Sequence, residues 1–356
     1  MSSPSASKTN PGNFFEDFRL GQQIRHATPR TVGAGDAALY QALFGSRFAV
    51  QSADTFARAV GYVSAPLDDL LVFHLVFGKT VPDISLNAVA NLGYADCRFL
   101  KAVYPGATLS AVSEVIGLRE NANRKTGIVY VRSRGFDQAG DCVLDYARWV
   151  MVRKRDEAAP APEAIVPELP KAVAPAALGA ACPQIDAAAY DIVLAGSSHR
   201  FGDYKAGDRI DHVDGITVEE AEHMMATRLY QNTSRVHFDQ FAAAKGRFGR
   251  RLIYGGHVIS LARALSFNGL SNAFHVAAIN GGRHVAPLFA GLTVFAWSEV
   301  LETADVPGRN DVGALRLRTV ATKDRPCVDF PYKDGEEYDP AVILDLDYWV
   351  LMPKEI

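Results

Sequence analysis

FEDFRLGQQIRHATPRTV, residues 15–32, has a counterpart later in the chain in FGDYKAGDRIDHVDGITV, residues 201–218. Seven of the 18 positions are identical at a constant offset of 186. A second pair of blocks, 98–116 and 283–301, has seven identities in 19 positions at an offset of 185. Similarity that keeps its order and register across separate blocks indicates an internal duplication.

The ends of the two halves agree as well. VLDYARWVMVRK at 143–154 matches ILDLDYWVLMPK at 343–354 at an offset of 200. The larger offset indicates an insertion in the second copy at the polar stretch 324–339, which is typical of a long hairpin loop. A Pro/Ala-rich stretch separates the copies and predicts an extended, semi-rigid linker. We therefore predict an N-terminal copy at 13–154, a linker at 155–195 and a C-terminal copy at 196–356.

Each copy places helical patterns before β-rich ones. The first copy has LLVFHLVFG at 70–78, which is apolar on all sides, and the second has GGHVISLARALSF at 255–267, which is apolar at helical spacing. Alternating β-rich segments bounded by turn residues follow in both copies. A helix that is apolar all round is buried on every side. Helical segments followed by alternating strands predict an α+β fold. Each copy would then have one buried helix and an antiparallel sheet.

The composition is that of a globular protein, with 48% hydrophobic and 22% charged residues in 356. The net charge of -3 argues against general nucleic-acid binding. The four cysteines contain no CxxC pair, which argues against a zinc site or a disulfide framework. Met1 to Gly12 is polar, and the apolar run Leu70 to Phe77 is too short to span a bilayer. We therefore expect a cytoplasmic protein that binds neither nucleic acid nor a membrane.

The copies differ most in one short region. The second copy has YQNTSRVHFDQFA at 230–242, and the first has GSRFAVQSADTFA at 45–57. Their ends align, but Asn232 and His237 stand where the first copy has an arginine and a serine. Because one copy alone keeps a titratable histidine there, we expect the C-terminal copy to carry the chemistry and the N-terminal site to be degenerate.

The block around His237 resembles the signature of the MaoC-like, R-specific enoyl-CoA hydratases. That signature runs Asp-x-Asn-Pro-apolar-His-x-Asp and continues into a small-residue turn at the start of the central helix. His237 matches its histidine, Asp239 its last aspartate and Gly256 the glycine of the turn. The resemblance covers both copies and implies a double hot dog, in which each copy wraps an antiparallel sheet around a central helix.

The resemblance also implies an activity. Members of the family are hydro-lyases that add water reversibly across the C=C bond of an α,β-unsaturated acyl-CoA, so the expected partner is a coenzyme A thioester substrate. The layout of the whole chain is most similar to members that convert mesaconyl-CoA (2-methylfumaryl-CoA) to β-methylmalyl-CoA. No metal or cofactor is expected.

Two positions depart from the signature. Asn232 stands where the family has its first aspartate, and Ser234-Arg235 replaces Asn-Pro. An amide cannot act as a base. Either His237 acts alone while Asn232 positions the water, or a carboxylate from elsewhere completes the site.

The chemistry suggests a role for each candidate residue. Hydration needs a group that takes and returns a proton, which we assign to His237 together with Asn232. It also needs N–H donors for the thioester oxygen, and Gly256 begins a helix whose end is electropositive and unpaired. Residues expected to bind the substrate, with Arg235 as a clamp for a free carboxylate, are Arg235, Gly255, His257 and Arg283. Residues expected to meet the phosphates of coenzyme A are Lys245, Arg247, Arg250 and Arg251.

Other interpretations stay open at this stage. A hot-dog thioesterase would commonly need a carboxylate on the central helix, and residues 255–269 contain none. An inactive acyl-CoA-binding protein is favoured by the loss of the signature aspartate. His237 could be a structural loop histidine, and the basic cluster a solvated surface. Hot-dog proteins generally pair, so we expect a homodimer or a higher homo-oligomer.

Overall fold

A computed structural model describes residues 8–355, apart from the side chains of residues 180 and 181. The first seven residues of the polar tail and residue 356 of the predicted C-terminal copy lie outside the described residues. The elements of the first copy are β1 (Gln23–Thr31), α1 (Ala34–Phe44), α2 (Ala49–Ser52), α3 (Asp54–Ala59), α4 (Asp69–Thr80), β2 (Ala88–Phe99), β3 (Thr108–Glu120), β4 (Thr126–Phe136) and β5 (Cys142–Arg153). The elements of the second copy are β6 (Arg209–Thr217), α5 (Glu220–Leu229), α6 (Arg235–Phe238), α7 (Gln240–Ala243), α8 (Gly255–Leu265), α9 (Phe267–Leu270), β7 (His275–His284), β8 (Thr293–Asp305), β9 (Val312–Lys323), β10 (Lys333–Asp334), β11 (Glu337–Tyr338) and β12 (Val342–Pro353).

The long strands form one antiparallel sheet that runs through both copies. Its order within residues 8–355 is β1-β3-β4-β5-β2-β7-β12-β9-β8-β6. The half from the second copy mirrors the half from the first. The two halves join where β2 pairs with β7, with Cys97 opposite Ile279 and Arg98 opposite Ala278. This layout confirms the predicted duplication, the α+β class and the double hot-dog fold.

The central helices α4 and α8 pack against the inner face of the sheet and touch each other. Residues 70–80 of α4 and 256–265 of α8 are buried. The helices meet where His74 Nε2 lies 2.9 Å from Ser260 Oγ. Both residues lie six positions after the N-cap of their helix, which is Asp68 in α4 and Tyr254 in α8. The contact therefore joins equivalent positions of the two copies.

A polar network that occurs in both copies explains why His26 and His212 recur in the sequence. His26 Nε2 lies 2.7 Å from Ser113 Oγ, and His212 Nε2 lies 2.8 Å from Ser298 Oγ. Each serine continues to a hydroxyl on the next strand, at 2.7 Å in both copies. Both histidines are buried and tie the first strand of their copy to the sheet. Their repetition therefore reflects one structural role that both copies share.

The predicted linker at 155–195 contains short 3-10 helices at Pro175–Ala181 and Ala187–Ala189 and is packed against the sheet. Ile165 forms a backbone bridge with Leu118, and Trp349 Nε1 donates to the carbonyl of Val173 over 3.0 Å. Apolar side chains of the linker join a buried cluster with the second copy; they include Val173, Leu178, Ile185 and Tyr190. The linker therefore contributes to the core.

The insertion in the second copy forms the predicted hairpin, with β10 and β11 paired antiparallel. The hydroxyls of Tyr332 and Tyr338 both donate to Asp345 Oδ2 over 2.8 Å. Trp297 Nε1 donates to the carbonyl of Pro331 over 2.9 Å, so the insertion covers the outer face of β8. Within residues 8–355, the helices are all too short or too polar to cross a membrane.

We predict that Asn280→Ala destabilises the fold. The Asn280 side chain is buried, accepts the N–H of Val173 over 2.8 Å and donates to Asp347 over 2.7 Å. Its loss leaves a buried N–H without an acceptor, which costs about 1–3 kcal/mol. Urea unfolding followed by circular dichroism measures the change. The control is Asn310→Ala, at an exposed asparagine, and an equal loss of stability in both variants would contradict the role of Asn280.

Candidate active site

The turn that begins α8 has no room for side chains. An added Cβ at Gly255 would lie 2.4 Å from the ring of His284 on β7. At Gly256 it would lie 2.4 Å from the ring of Tyr254 and 2.5 Å from that of His74 on α4. Glycine is therefore required at both positions, because three aromatic rings approach the backbone closely there. The first N–H groups of a helix have no intrahelical acceptor, and the glycines leave them open to a ligand.

His237 lies beside this turn with a defined tautomer. Its Nδ1 lies 2.9 Å from the carbonyl oxygen of Leu252, which can only accept, so Nδ1 carries the proton and Nε2 the lone pair. The ring packs edge-on against Tyr254, with centroids 5.4 Å apart. Desolvation lowers the pKa of His237 to about 4. The ring is therefore neutral at pH 7 and able to accept a proton at Nε2.

Asn232 is buried in the turn between α5 and α6. Its Oδ1 accepts the N–H of Ser234 over 3.1 Å, which is an Asx turn that sets the entry into α6. With its oxygen used in this way, the amide NH2 is the part that remains as a donor. Asp239 caps α7 by accepting the N–H of Ala242 over 3.0 Å, so it acts structurally.

Four further histidines surround the site, and the sequence signature did not point to them as a group. His223 on α5 accepts the N–H of Tyr254 at Nε2 over 2.9 Å and lies edge-on to both His237 and His257. Desolvation lowers the pKa of His74 and His257 to about 3, and that of His284 to about 4. These rings come from α4, α5, α8 and β7, so sequence spacing carries no signal for them. Among the described residues, no group of three His, Cys, Asp or Glu side chains could hold a metal ion.

The structure brings Gly255, Gly256, His237 and His257 together, and Asn232 lies in the turn that leads into the helix of His237. His257 is the third residue of α8 and is buried, with its ring against Phe44 and His223. The backbone N–H of His257 already donates to the Tyr254 carbonyl over 2.9 Å. The donors left for a ligand at this turn are therefore those of the glycines.

The structure does not bring Arg235 and Arg283 into the site. Arg235 and His237 are two residues apart on α6, which is about 200° around a helix, so His237 points inward and Arg235 is exposed. Arg283 alternates with the buried Gly282 on β7 and therefore points to the outer face of the sheet. There it interacts with Tyr338 of the inserted hairpin.

Three of the four predicted phosphate-binding residues lie on an exposed loop near the site. Lys245, Arg247 and Arg250 are exposed, and each cation lies over an aromatic ring at 4.0 to 5.3 Å. Arg251 differs, because it forms an ion pair with Glu220 and is only 14% exposed. The loop therefore offers three cations to a phosphate rather than four.

The equivalent place in the first copy is closed by its own carboxylate. Asp68 is the N-cap of α4 and accepts the N–H of Leu70 over 2.9 Å. Leu70 is the second residue of α4, as Gly256 is of α8. Burial raises the pKa of Asp68 to about 6. Arg47 and Ser52 stand in the places of Asn232 and His237, with the Arg47 guanidinium 4.5 Å from the Phe267 ring.

Comparisons with known proteins agree with this geometry. A family model for mesaconyl-CoA hydratase matches residues 4–330. The β-methylmalyl-CoA dehydratase of Chloroflexus aurantiacus is 64% identical over 350 residues, or 98% of this chain and 99% of that protein. The mesaconyl-CoA hydratase of Cereibacter sphaeroides is 60% identical over 351 residues, or 98% of this chain and 100% of that protein.

Solved structures agree as well. One described as a MaoC domain dehydratase from Chloroflexus aurantiacus has a TM-score of 0.96 at 63% identity, and the match covers 99% of this chain and 100% of that chain. A double hot-dog protein from Mycobacterium tuberculosis has a TM-score of 0.75 at 25% identity, with 96% and 99% covered. The shared sheet, with a histidine loop beside a glycine turn, defines a MaoC-like double hot-dog protein. The chain belongs to the mesaconyl-CoA hydratase family.

We predict that the protein loses stability steadily as the pH falls below about 6.5. Desolvation lowers the pKa of six histidines in the folded state, so these rings stay neutral while the unfolded chain takes up protons. Each contributes up to about 1.4 kcal/mol per pH unit between about pH 6.5 and its folded pKa. The six are His74, His212, His223, His237, His257 and His284.

Urea unfolding at pH 7.5, 6.5 and 5.5 checks this prediction. His257→Asn should reduce the slope of unfolding free energy against pH by about one proton. The exposed His199, changed to Asn, is the control and should leave the slope as it is. A slope in the wild type that stays near zero between pH 6.5 and 5.5 would contradict the desolvation of these rings.

Proposed function

We propose that this protein adds water reversibly across the C=C bond of mesaconyl-CoA to form β-methylmalyl-CoA. The observation that carries the proposal is the position of a neutral His237, with its lone pair on Nε2, beside the unpaired N–H groups that begin α8. The reactions for which the two curated relatives are named support the choice of substrate.

His237 acts as the proton carrier in this proposal. Its Nε2 takes a proton from water as the water oxygen bonds to C3, and the imidazolium then returns a proton to C2. The net change is the addition of one water. The folded environment disfavours the imidazolium in the free protein, since the pKa is lowered to about 4. The negative charge that develops on the thioester oxygen nearby offsets this cost in the transition state.

The N–H of Gly256 stabilises that developing charge. A thioester oxygen placed at the start of α8 accepts unpaired N–H groups and faces the positive end of the helix. Because an added Cβ at Gly256 would collide with Tyr254 and His74, a glycine is needed for these two rings to pack against the start of α8. The N-terminal copy cannot do the same, because Asp68 already accepts from Leu70.

Asn232 positions the attacking water. Its oxygen is held by the N–H of Ser234, which directs the amide NH2 as a donor to the water oxygen. A lone pair of the water oxygen accepts this donor while His237 removes a proton. Asn232 thus orients the nucleophile without exchanging protons, and His237 acts alone as the base.

We predict that His237→Ala lowers kcat/KM for mesaconyl-CoA by about 10²–10⁴-fold, since proton transfer is lost while the fold persists. Loss of enoyl-thioester absorbance measures hydration, with crotonyl-CoA tested beside mesaconyl-CoA. His199→Ala, at an exposed position, is the control. Activity of His237→Ala within about tenfold of wild type would remove His237 from the mechanism.

The same assay separates the alternative functions. A thioesterase would release free thiol from the thioester without loss of the double bond. An inactive binding protein would change neither signal in the wild type. Hydration of mesaconyl-CoA without thiol release is the outcome that the proposal requires.

We also predict that Lys245, Arg247 and Arg250 bind the phosphates of coenzyme A. Replacing all three by alanine should raise KM for the CoA thioester by about tenfold, since three exposed charge pairs are each worth up to about 1 kcal/mol. Steady-state kinetics with the pantetheine thioester, which lacks the nucleotide phosphates, supply the control and should show little change. Equal rises in KM for both thioesters would contradict phosphate binding by this loop.

Two further expectations stay predictions. A homodimer or higher homo-oligomer is expected from the general behaviour of hot-dog proteins, and light scattering tests it. A cytoplasmic location and one active site per chain are likewise expected from the sequence. The single site can be counted by titrating the protein with a tight-binding product analogue.

A further inference from the structure

Arg148 on β5 is fully buried, with a relative exposure of 0%. Its Nη2 donates to Thr80 Oγ1 over 2.8 Å and reaches Ser85 Oγ at 3.5 Å. Its Nε and Nη1 have no hydrogen-bond partner in the part of the chain that the structure describes. The guanidinium is therefore inside the protein with two of its three nitrogens unused.

Arg148 also has no ion-pair partner among residues 8–355. Burial lowers the pKa of Arg148, and the groups that oppose this effect are tyrosine hydroxyls, which are neutral at pH 7. An arginine stays protonated in proteins. Burying a charge without a counter-ion costs several kcal/mol, and buried charges are ordinarily paired. An anion bound next to this guanidinium would therefore stabilise the buried charge.

The guanidinium is connected to the candidate active site through aromatic side chains. It lies 4.2 Å from the centroid of the Phe77 ring on α4. Phe77 packs against Tyr254, the N-cap of α8, at 5.8 Å, and against Tyr94 at 6.2 Å. Tyr94 is opposite Arg148 in the sheet, and its hydroxyl lies 3.5 Å from His284 Nε2. Arg148 therefore lies behind the ring of side chains that surrounds the glycine turn.

The degenerate site of the first copy contains a buried arginine at the same place, but with its anions present. Arg263 on α8 and Phe77 on α4 both lie nine positions after the N-cap of their helix. In the sheet, Tyr348 takes the place of Arg148 at the offset of 200. The arginine and the aromatic residue have thus exchanged positions between helix and strand.

The anions of the degenerate site are Asp68 and Asp69. Burial lowers the pKa of Arg263, and the charges of these two carboxylates oppose that effect. In the second copy the residues at the corresponding helix start are Tyr254 and Gly255, which carry no charge. The first copy therefore balances its buried arginine with its own carboxylates, whereas the second copy leaves that place to another anion.

We propose that Arg148 binds the free carboxylate of a dicarboxylic acyl-CoA and thereby sets the selectivity of the site for such substrates. The inference rests on the proposed function and deepens it. The free carboxylate of mesaconyl-CoA is attached to C3, the carbon that receives the water oxygen. A guanidinium with unused N–H groups suits a planar carboxylate, and pairing inside the protein offsets the cost of burying both charges. The exposed Arg235, predicted from the sequence for this role, already has its charge in solvent.

The test compares mesaconyl-CoA with 2-methylbut-2-enoyl-CoA, in which a methyl group replaces the carboxylate. The measured quantity is the ratio of the two kcat/KM values within one protein sample, so a reduced fraction of folded protein cancels. We expect Arg148→Gln to lower this ratio by about 10²–10³-fold, because truncation leaves the substrate carboxylate buried and unpaired. Arg148→Lys keeps the charge without the planar fork and should give an intermediate ratio. If Arg148→Gln turns over neither substrate, the ratio measured for Arg148→Lys tests the proposal instead.

Arg153→Gln is the matched control, since Arg153 lies on the same strand and is exposed. Its ratio should equal that of the wild type. A ratio within about threefold of wild type in both Arg148 variants would overturn the proposal, as would a large fall in Arg235→Gln with none in Arg148→Gln. Failure of the wild type to hydrate mesaconyl-CoA would instead overturn the proposed function, so the two failures are distinguishable.

Discussion

The unpaired N–H groups at the start of α8 are the feature on which the rest of the site depends. A helix leaves its first donors without partners, and a protein ordinarily satisfies them with a side-chain cap. The first copy does this with Asp68, which accepts from Leu70. The second copy begins its helix with Gly255 and Gly256 after a tyrosine N-cap that makes no side-chain hydrogen bond. One copy thus uses the helix end for stability, and the other keeps it for a ligand.

Keeping those donors open imposes conditions on the surroundings. The rings of His74, Tyr254 and His284 close over the glycines, so no other residue fits there. Burial in this place desolvates the ring of His237, which disfavours its charged form and lowers its pKa to about 4. In such a space a neutral imidazole is a usable base, and an anion formed on the substrate interacts strongly with the helix end.

Fusion of two copies into one chain makes this asymmetry possible. In a symmetric dimer of a single hot dog, every residue occurs at both sites. Here α4 of the first copy supplies His74 and Phe77 to the site of the second copy, while α8 supplies Arg263 to the degenerate site. Because the positions no longer have to match, one pocket holds its buried arginine beside carboxylates, whereas the other holds its buried arginine without them. The packed linker holds the two copies in this arrangement.

The sequence by itself determined the duplication, the fold class and the position of His237 beside the glycine turn. These follow from local properties, namely register between repeats, hydrophobic periodicity and a short motif whose members lie close in sequence. It did not determine which charged residues face the site. Arg235 was predicted from its nearness to the motif and Arg283 from its place at a strand start, but the helical turn and the strand alternation point them away.

Arg148 and the ring of histidines could be recognised only in three dimensions. Arg148 comes from β5, His74 from α4, His223 from α5 and His284 from β7, and the folded sheet brings them around one helix end. Their significance depends on burial and, for Arg148, on two nitrogens that have no hydrogen-bond partner within residues 8–355. Both are properties of packing between distant segments, so no local pattern in the sequence records them.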